Sequence, residues 1–425
     1  MPQPNIIMLV ADDMCYAQTQ AMPQLFNRIA KFGVTFSRAF VATPQCQPAR
    51  ATYFTGQYPH RHGVVDNSTA SYAVLNPTNM LAKRLQLAGY YTAHAGKYMN
   101  GYVAADAVPD GWTNWRALQP QNYYSYNVNI NGVVTSRGAT ADDYAVNVTT
   151  NEAITAINAA SQPFFLHVGY NAPHAPATPH PNYSGVIPAS RTFPRNPDFN
   201  PASMAGKPAD IAAYPVLDAS AINASDAFWR AQTEVLFSVD RSIAAILDAL
   251  VAAGKNTNTY VIFVADNGLF HGEWRQSGSK VIAYEAAVHI PLIVSGPSAS
   301  VAQDVVCTRL ISQIDLAPTI YALSGATSSL TMHGVSFASL LSNPNGAAIR
   351  DQLLIEWAGT ESSPVRPKYN CLRSERFKYI ETIITGEKEL YDLVTDPYET
   401  ANLVNLSAYA SLKTSMAAAM AAALS

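Results

Sequence analysis

The sequence predicts an α/β protein: a large mixed, mostly parallel sheet sandwiched by helices, followed by a smaller C-terminal α+β unit. Two observations carry this expectation. Short runs that are almost wholly apolar, Ile6–Val10, Phe164–Gly169, Tyr260–Ala265 and Leu292–Ser295, alternate with helical stretches such as Asn79–Ala88, Thr149–Ala160 and Ala231–Ala253. A strand that is apolar along its whole length has both faces covered, and strands alternating with helices build parallel βαβ units. Past Ser342-Asn-Pro-Asn-Gly346 the pattern changes to strand-like runs at Leu353–Trp357, Tyr369–Glu381 and Glu389–Leu393, then an Ala-rich helix from about Ser407. We therefore divide the chain into residues 1–345 and a small subdomain of antiparallel sheet plus helix over 346–425.

Composition bounds the function. The 425 residues carry a net charge of −3 with 13% charged side chains, which excludes the basic surface that nucleic acid requires. No stretch of eighteen apolar residues is present, so no membrane-spanning helix is expected. The chain opens almost directly on an apolar strand, without a charged segment leading into an apolar one, so no signal peptide is read. That fits a cytoplasmic protein or a mature exported one. The abundance of Ala, Ser, Thr and Asn leans towards a secreted or periplasmic protein. The four cysteines, Cys15, Cys46, Cys307 and Cys371, are too few for a disulfide framework. If Cys46 is reserved for chemistry, at most one disulfide can form.

The ends of the predicted strands carry the polar residues. Ile6–Val10 runs into Asp12-Asp13, Tyr260–Ala265 into Asp266-Asn267-Gly268, and Phe164–Gly169 into Asn171-Ala-Pro-His174. In parallel sheets, function collects at the carboxyl ends of the strands. Each of these residues alone could be a helix cap or a turn. Together they offer hard oxygen donors, which suit Ca²⁺ first and Mg²⁺ second. Residues Ala172 to about Pro215, rich in Pro and Asn, read as long surface loops.

Cys46 lies between Pro44 and Pro48 and is flanked by Gln45 and Gln47. After Pro48 the pattern turns helical and stops at Gly56, which sets Cys46 just before a first helical turn. Backbone N–H groups and Arg50 make that a place for anionic chemistry.

Cys46-Gln-Pro48-Ala-Arg50 resembles the C-x-P-x-R core of the type I sulfatases of the alkaline phosphatase superfamily. Asp12-Asp13, Gly96-Lys97-Tyr98, Ala172-Pro-His174, Asp266-Asn267-Gly268, Lys280 before Tyr284-Glu285, Ile314-Asp-Leu-Ala-Pro-Thr319 and Met332-His-Gly334 follow the family's order. The resemblance spans nearly the whole chain. Gly96–Tyr102, Gly111–Trp115 and Tyr123–Asn127 are similar to the N-acetylglucosamine-6-sulfatase branch, whose blocks recur in microbial arylsulfatases.

The resemblance implies an alkaline phosphatase-like fold and hydrolysis of sulfate monoesters. It implies that a formylglycine-generating enzyme converts Cys46 to 3-oxoalanine (formylglycine), whose hydrate is the nucleophile. Asp12, Asp13, Asp266 and Asn267, with modified Cys46, would bind Ca²⁺ (alternatively Mg²⁺). Asp266 would take the diol proton, and Arg50 and Lys97 would hold the modified side chain and the sulfate charge. Lys280 and His174 would bind outer or bridging oxygens, one of them protonating the leaving group. The substrate would be a sulfated sugar, a 6-sulfated hexosamine, or a small aryl sulfate. The aromatics Trp112, Trp115, Tyr123, Tyr124 and Tyr126 are expected to suit sugar rings, or else only to pack a long loop.

Gln45 and Gln47 depart from the residues usual around the cysteine. Met99 stands where many sulfatases carry a histidine, the usual base for elimination, and His271 is a candidate helper. A phosphonate monoester or phosphodiester hydrolase shares the fold and motif but typically shows Asp-His rather than Asp266-Asn267. A catalytically dead binding protein on this fold would be expected to lack some of these residues. The sequence leaves oligomeric state open.

Overall fold

The computed structural model describes residues 2–161, 163–359 and 367–425. Ten strands form the main sheet, in the order Val305–Cys307, Gly33–Phe36, Leu292–Ser295, Thr259–Ala265, Asn5–Ala11, Phe164–Gly169, Tyr91–Gly96, Asn114–Gln119, Asn127–Ile130 and Val133–Ser136. The five strands from Thr259–Ala265 to Asn114–Gln119 run parallel, and antiparallel partners flank them on both sides. Asn5–Ala11, Thr259–Ala265 and Phe164–Gly169 are buried at every residue. That is the burial their almost wholly apolar sequences demand.

Two sets of helices cover the sheet. Ala145–Ala159 and the long Ala219–Ala252 pack on each other, and Cys46–Thr55 packs against Leu81–Leu87 and Leu316–Ser324. The long helix starts twelve residues before the segment beginning at Ala231, because its first turns are polar and partly exposed. Asp218 caps it, its side chain accepting a hydrogen bond from the Ala221 N–H. A second sheet of four antiparallel strands, Gln352–Trp357, Tyr369–Ser374, Phe377–Thr382 and Lys388–Asp392, lies near the C-terminus with the helix Ala410–Leu424 against it. The single run Tyr369–Glu381 read from sequence is thus a hairpin, turning at Ser374–Phe377.

The parallel register places four strand ends on one edge. Ala11 pairs with Ala265, Val10 with Gly169, and Gly96 with Gly169. Asp12-Asp13, Asp266-Asn267, the loop to His174, and Lys97 therefore leave the sheet side by side. Glycine at 96 is required here: its φ is +100°, and a Cβ would lie 2.0 Å from the Gly169 carbonyl oxygen. All four cysteines are free thiols. Among the described residues no helix is long and apolar enough to cross a membrane.

Candidate active site

The helix Cys46–Thr55 is buried along its whole length and begins at Cys46 itself, which the sequence pattern had set just before the first turn. Pro48 is accommodated because the first helical N–H groups have no intrahelical acceptor to lose. The helix end aims Cys46 at the sheet edge. Its Sγ lies 2.8 Å from Lys280 Nζ, 3.4 Å from Asp12 Oδ1 and 3.8 Å from Asp13 Oδ1. Burial, reinforced by the Asp12 charge, pushes the thiol well above its ordinary pKa despite Lys280. As a plain thiol, Cys46 is a poor nucleophile in this setting.

Charges alternate around it. Lys97 pairs with Asp12, and Lys280 with Asp13. Burial opposes ionisation of Asp12, yet Lys97, His174, Arg50 and Lys280 outweigh it and hold the carboxyl well below the usual range. Arg50, fully buried, donates from Nε to Asp266 Oδ2 at 2.9 Å and from Nη1 to the Lys97 and Tyr98 carbonyls at 3.0 and 3.2 Å. Asp266 Oδ1 accepts the backbone N–H of Asp13 at 3.1 Å and of Asn267 at 2.9 Å. Burial and the Asp12 charge push Asp266 up to about 6 even with Arg50 beside it. Asp13 adopts a left-handed φ of +62°, a strained conformation held by these bonds.

Asp12, Asp13, Cys46 and His174 each present a donor atom, all within 4.8 Å of one another. Asn267 Oδ1 is buried without a hydrogen-bond partner, while its Nδ2 donates to Asp13 Oδ1 at 2.6 Å. Carboxylate oxygens plus an orphaned amide oxygen fit a hard divalent cation. The thiol is the one soft donor in the set, and its replacement by an oxygen function would make the set uniform.

His174 sits on the open side, its side chain 32% exposed, with Nε2 3.5 Å from Asp13 Oδ2. The structure gathers Asp12, Asp13, Cys46, Arg50, Lys97, His174, Asp266, Asn267 and Lys280 at this edge, while His271 and the aromatics are corrected. Asp266 is turned to Arg50 and the backbone, and the polar neighbours of Cys46 Sγ are Lys280, Asp12 and Asp13. His271 is buried between the rings of Phe193 and Phe228 and bonded to Gln232, so it does not assist at Cys46. Trp112, Trp115, Tyr123 and Tyr126 are also buried rather than offered to a sugar. Trp115 Nε1 donates to Tyr102 Oη at 2.9 Å, and Tyr123 Oη to the His174 carbonyl at 2.9 Å. Rings this large stabilise most when removed from water, so a loop rich in them packs inward.

Sequence reasoning missed the supports. Gln232 Nε2 holds the Pro173 carbonyl at 3.0 Å beside His174. Gln47 clasps two loops, donating to the Asp66 and Ser68 carbonyls and accepting from the Gly101 N–H at 2.6 Å. Its departure from the family pattern therefore serves loop anchoring. Nothing local in the sequence announces either contact.

Comparison with known proteins agrees with this geometry. The sulfatase family model matches residues 4–326, and the model described as N-sulphoglucosamine sulphohydrolase, C-terminal, matches residues 272–424. The chain belongs to the sulfatase family. It is similar to the N-acetylglucosamine-6-sulfatase of Capra hircus, 32% identical over 377 residues that cover 84% of this chain and 67% of that one. It is 28% identical to the arylsulfatase of Volvox carteri over 477 residues, covering 95% and 72% of the two chains. A solved structure of a protein in complex with its substrate D-glucosamine-2-N,6-O-disulfate superposes with a TM-score of 0.84 at 23% identity, covering 99% of this chain and 97% of that one. The phosphonate monoester hydrolase of Agrobacterium radiobacter superposes at 0.80 with 19% identity, covering 99% and 95%. These likenesses establish the alkaline phosphatase-like fold.

Proposed function

We propose that this sulfatase hydrolyses sulfate monoesters of sugars, a 6-sulfated hexosamine above all, through a formylglycine made from Cys46. The observation that carries the reading is the placement of Cys46 at a helix start, against Lys280 and the Asp12-Asp13 pair, in a chain 32% identical to an N-acetylglucosamine-6-sulfatase. One hydroxyl of the hydrated aldehyde attacks sulfur, the S–O bond to the sugar breaks, and the leaving oxygen takes a proton. The second hydroxyl then loses its proton as the C–O bond to sulfate breaks, which restores the aldehyde. Asp266, whose carboxyl is pushed up by burial, would take the diol proton, with Asp12 and Asp13 beside Cys46. His174, on the open side, would protonate the leaving oxygen, a role its partial exposure supports. Lys280 fixes the nucleophile, while Lys97 and Arg50 orient Asp12 and Asp266. A divalent cation, Ca²⁺ before Mg²⁺, held by Asp12, Asp13, Asn267, Asp266 and modified Cys46, would supply charge neutralisation and Lewis acidity. A formylglycine-generating enzyme is then an obligatory partner in maturation. Relatives named as extracellular sulfatases support an extracytoplasmic site of action.

The test compares kcat/KM for N-acetylglucosamine 6-sulfate, a 2-O-sulfated uronate, an activated aryl sulfate and a phosphate diester. Preference for the 6-sulfated sugar, after allowing for leaving-group acidity, is expected. Turnover of the aryl sulfate alone would reduce the reading to a plain arylsulfatase. A faster phosphate diester would overturn the choice of sulfate over phosphorus esters drawn from Asn267.

A further inference from the structure

We propose that Lys207, outside the catalytic cluster, is a positioning residue that holds the Lys280 loop in its working conformation through an aromatic cage shared with the C-terminal sheet. This rests on the reading that Lys280 acts on the nucleophile.

The loop bearing Lys280 is held only in part by its own hydrogen bonds, such as Phe270 N–H to the Ser279 carbonyl and Gly278 N–H to the Phe270 carbonyl, both at 2.9 Å. Trp274, Arg275 and Val281 all have left-handed φ, at +51°, +61° and +60°, and none is glycine. Such residues persist only where surrounding structure over-determines them. Besides the Val281 N–H, which donates to the Pro44 carbonyl at 3.2 Å, the surroundings come from two distant parts of the chain. Arg275 donates to the carbonyls of Pro201, Ala202 and Tyr214, and the Trp274 N–H to the Asp198 carbonyl at 2.8 Å. On the other side, Lys378 Nζ donates to the Ala283 carbonyl at 2.7 Å, Tyr284 Oη to Glu389 Oε2 at 2.7 Å, and the Glu285 N–H to Glu399 Oε2 at 2.9 Å.

Lys207 joins these two sides. Its side chain is only 1% exposed, and Nζ lies 3.5, 4.0 and 4.4 Å from the ring centroids of Trp274, Tyr284 and Tyr391. It donates to Tyr391 Oη and to the Glu399 carbonyl, both at 2.8 Å, with a Glu389 carboxylate oxygen at 3.9 Å. Trp274 and Tyr284 are the residues that bracket the Lys280 segment, so one ammonium grips both ends of the loop and ties them to the second sheet. Desolvated contact with three ring faces makes the charge matter, not only the stem. Burial pulls the ammonium down to about 8, with Glu389 and Glu399 opposing that shift.

The test is a double-mutant cycle on the modified enzyme with an activated aryl sulfate, reading kcat, KM and Tm. Lys207→Met, similar in length but uncharged, is expected to lower kcat about tenfold to a hundredfold with little change in KM. Lys207→Arg should recover part of the loss. In a Lys280→Ala background the same Lys207→Met change should have almost no effect on kcat, because there is no longer a lysine to position. An equal fall in both backgrounds would make Lys207 merely structural and overturn the proposal, as would unchanged kcat in Lys207→Met. Full activity of Lys280→Ala would instead remove the reading on which the proposal rests. If Lys207→Met does not fold, Tyr391→Phe, which removes only the hydroxyl, serves in the same cycle. It should lower kcat more weakly than Lys207→Met and also lose its effect beside Lys280→Ala. Its failure to do so would be equally decisive.

Discussion

Replacing Cys46 with alanine is expected to lower kcat/KM by about four orders of magnitude or more, because the covalent route disappears while the surrounding charges stay. Cys46→Ser is the more informative change. A serine hydroxyl could attack sulfur, but the resulting sulfate ester has no second hydroxyl on the same carbon to drive elimination. At most one turnover is expected, with a stable adduct about 80 Da heavier, the mass of an added sulfuryl group. In the active wild-type enzyme, the tryptic peptide containing Cys46 should be about 18 Da lighter than its thiol form, the difference between CH₂SH and CHO. A fully active preparation whose Cys46 is an intact thiol would overturn the mechanism.

The second large effect belongs to Asp13. Its Oδ1 receives Asn267 and Lys280, and its backbone N–H holds Asp266. Asp13→Ala removes a ligand and a charge, and it also puts a Cβ residue without local hydrogen bonding at φ +62°, costing about 1 kcal/mol of stability. Asp13→Asn separates the two consequences, since asparagine tolerates that conformation. Both are expected to lose activity by about two to four orders of magnitude, whereas only the alanine variant should also show a lowered Tm. Exhaustive chelation of wild-type enzyme should reproduce the loss, and added Ca²⁺ should reverse it. Full activity after chelation would rule out the metal site proposed here.

The strand ends were legible because the strands before them are rich in large apolar residues, even where His167 interrupts one, and burial follows directly from that. Tyr91–Gly96 escaped notice because, unlike Phe164–Gly169, it has no large aliphatic side chain around its histidine: it reads Tyr-Thr-Ala-His-Ala-Gly. The structure shows why a histidine is tolerated there: His94 Nδ1 meets His167 Nδ1 at 2.9 Å across the strand pair, and His167 Nε2 meets Tyr53 Oη at 3.0 Å. Asn114–Gln119 was hidden by its mixture of Asn, Trp and Arg, with Arg116 engaged by Glu152. The aromatics after Gly96 misled for the opposite reason. Composition reports how much apolar surface a loop carries, not which way it faces. Lys207 and Tyr391 are 184 residues apart, and no local pattern links them.

The helix Cys46–Thr55 has a consequence for chronology. All ten of its residues are buried, and Cys46, Gln47 and Arg50 have no measurable exposure. If the proposed modifying enzyme needs Cys46–Arg50 as an extended segment, it would have to meet it before that helix closes, and maturation would be a race between a catalyst and folding. Incubating purified, folded thiol protein with the formylglycine-generating enzyme and oxygen is expected to leave its mass unchanged. A synthetic peptide spanning residues 40–56, or the full chain presented during synthesis, should be converted. Yield of active protein would then depend on how slowly the nascent chain folds, and slowing translation should raise the converted fraction. Efficient conversion of the folded protein would show that this helix opens far more readily than its burial implies.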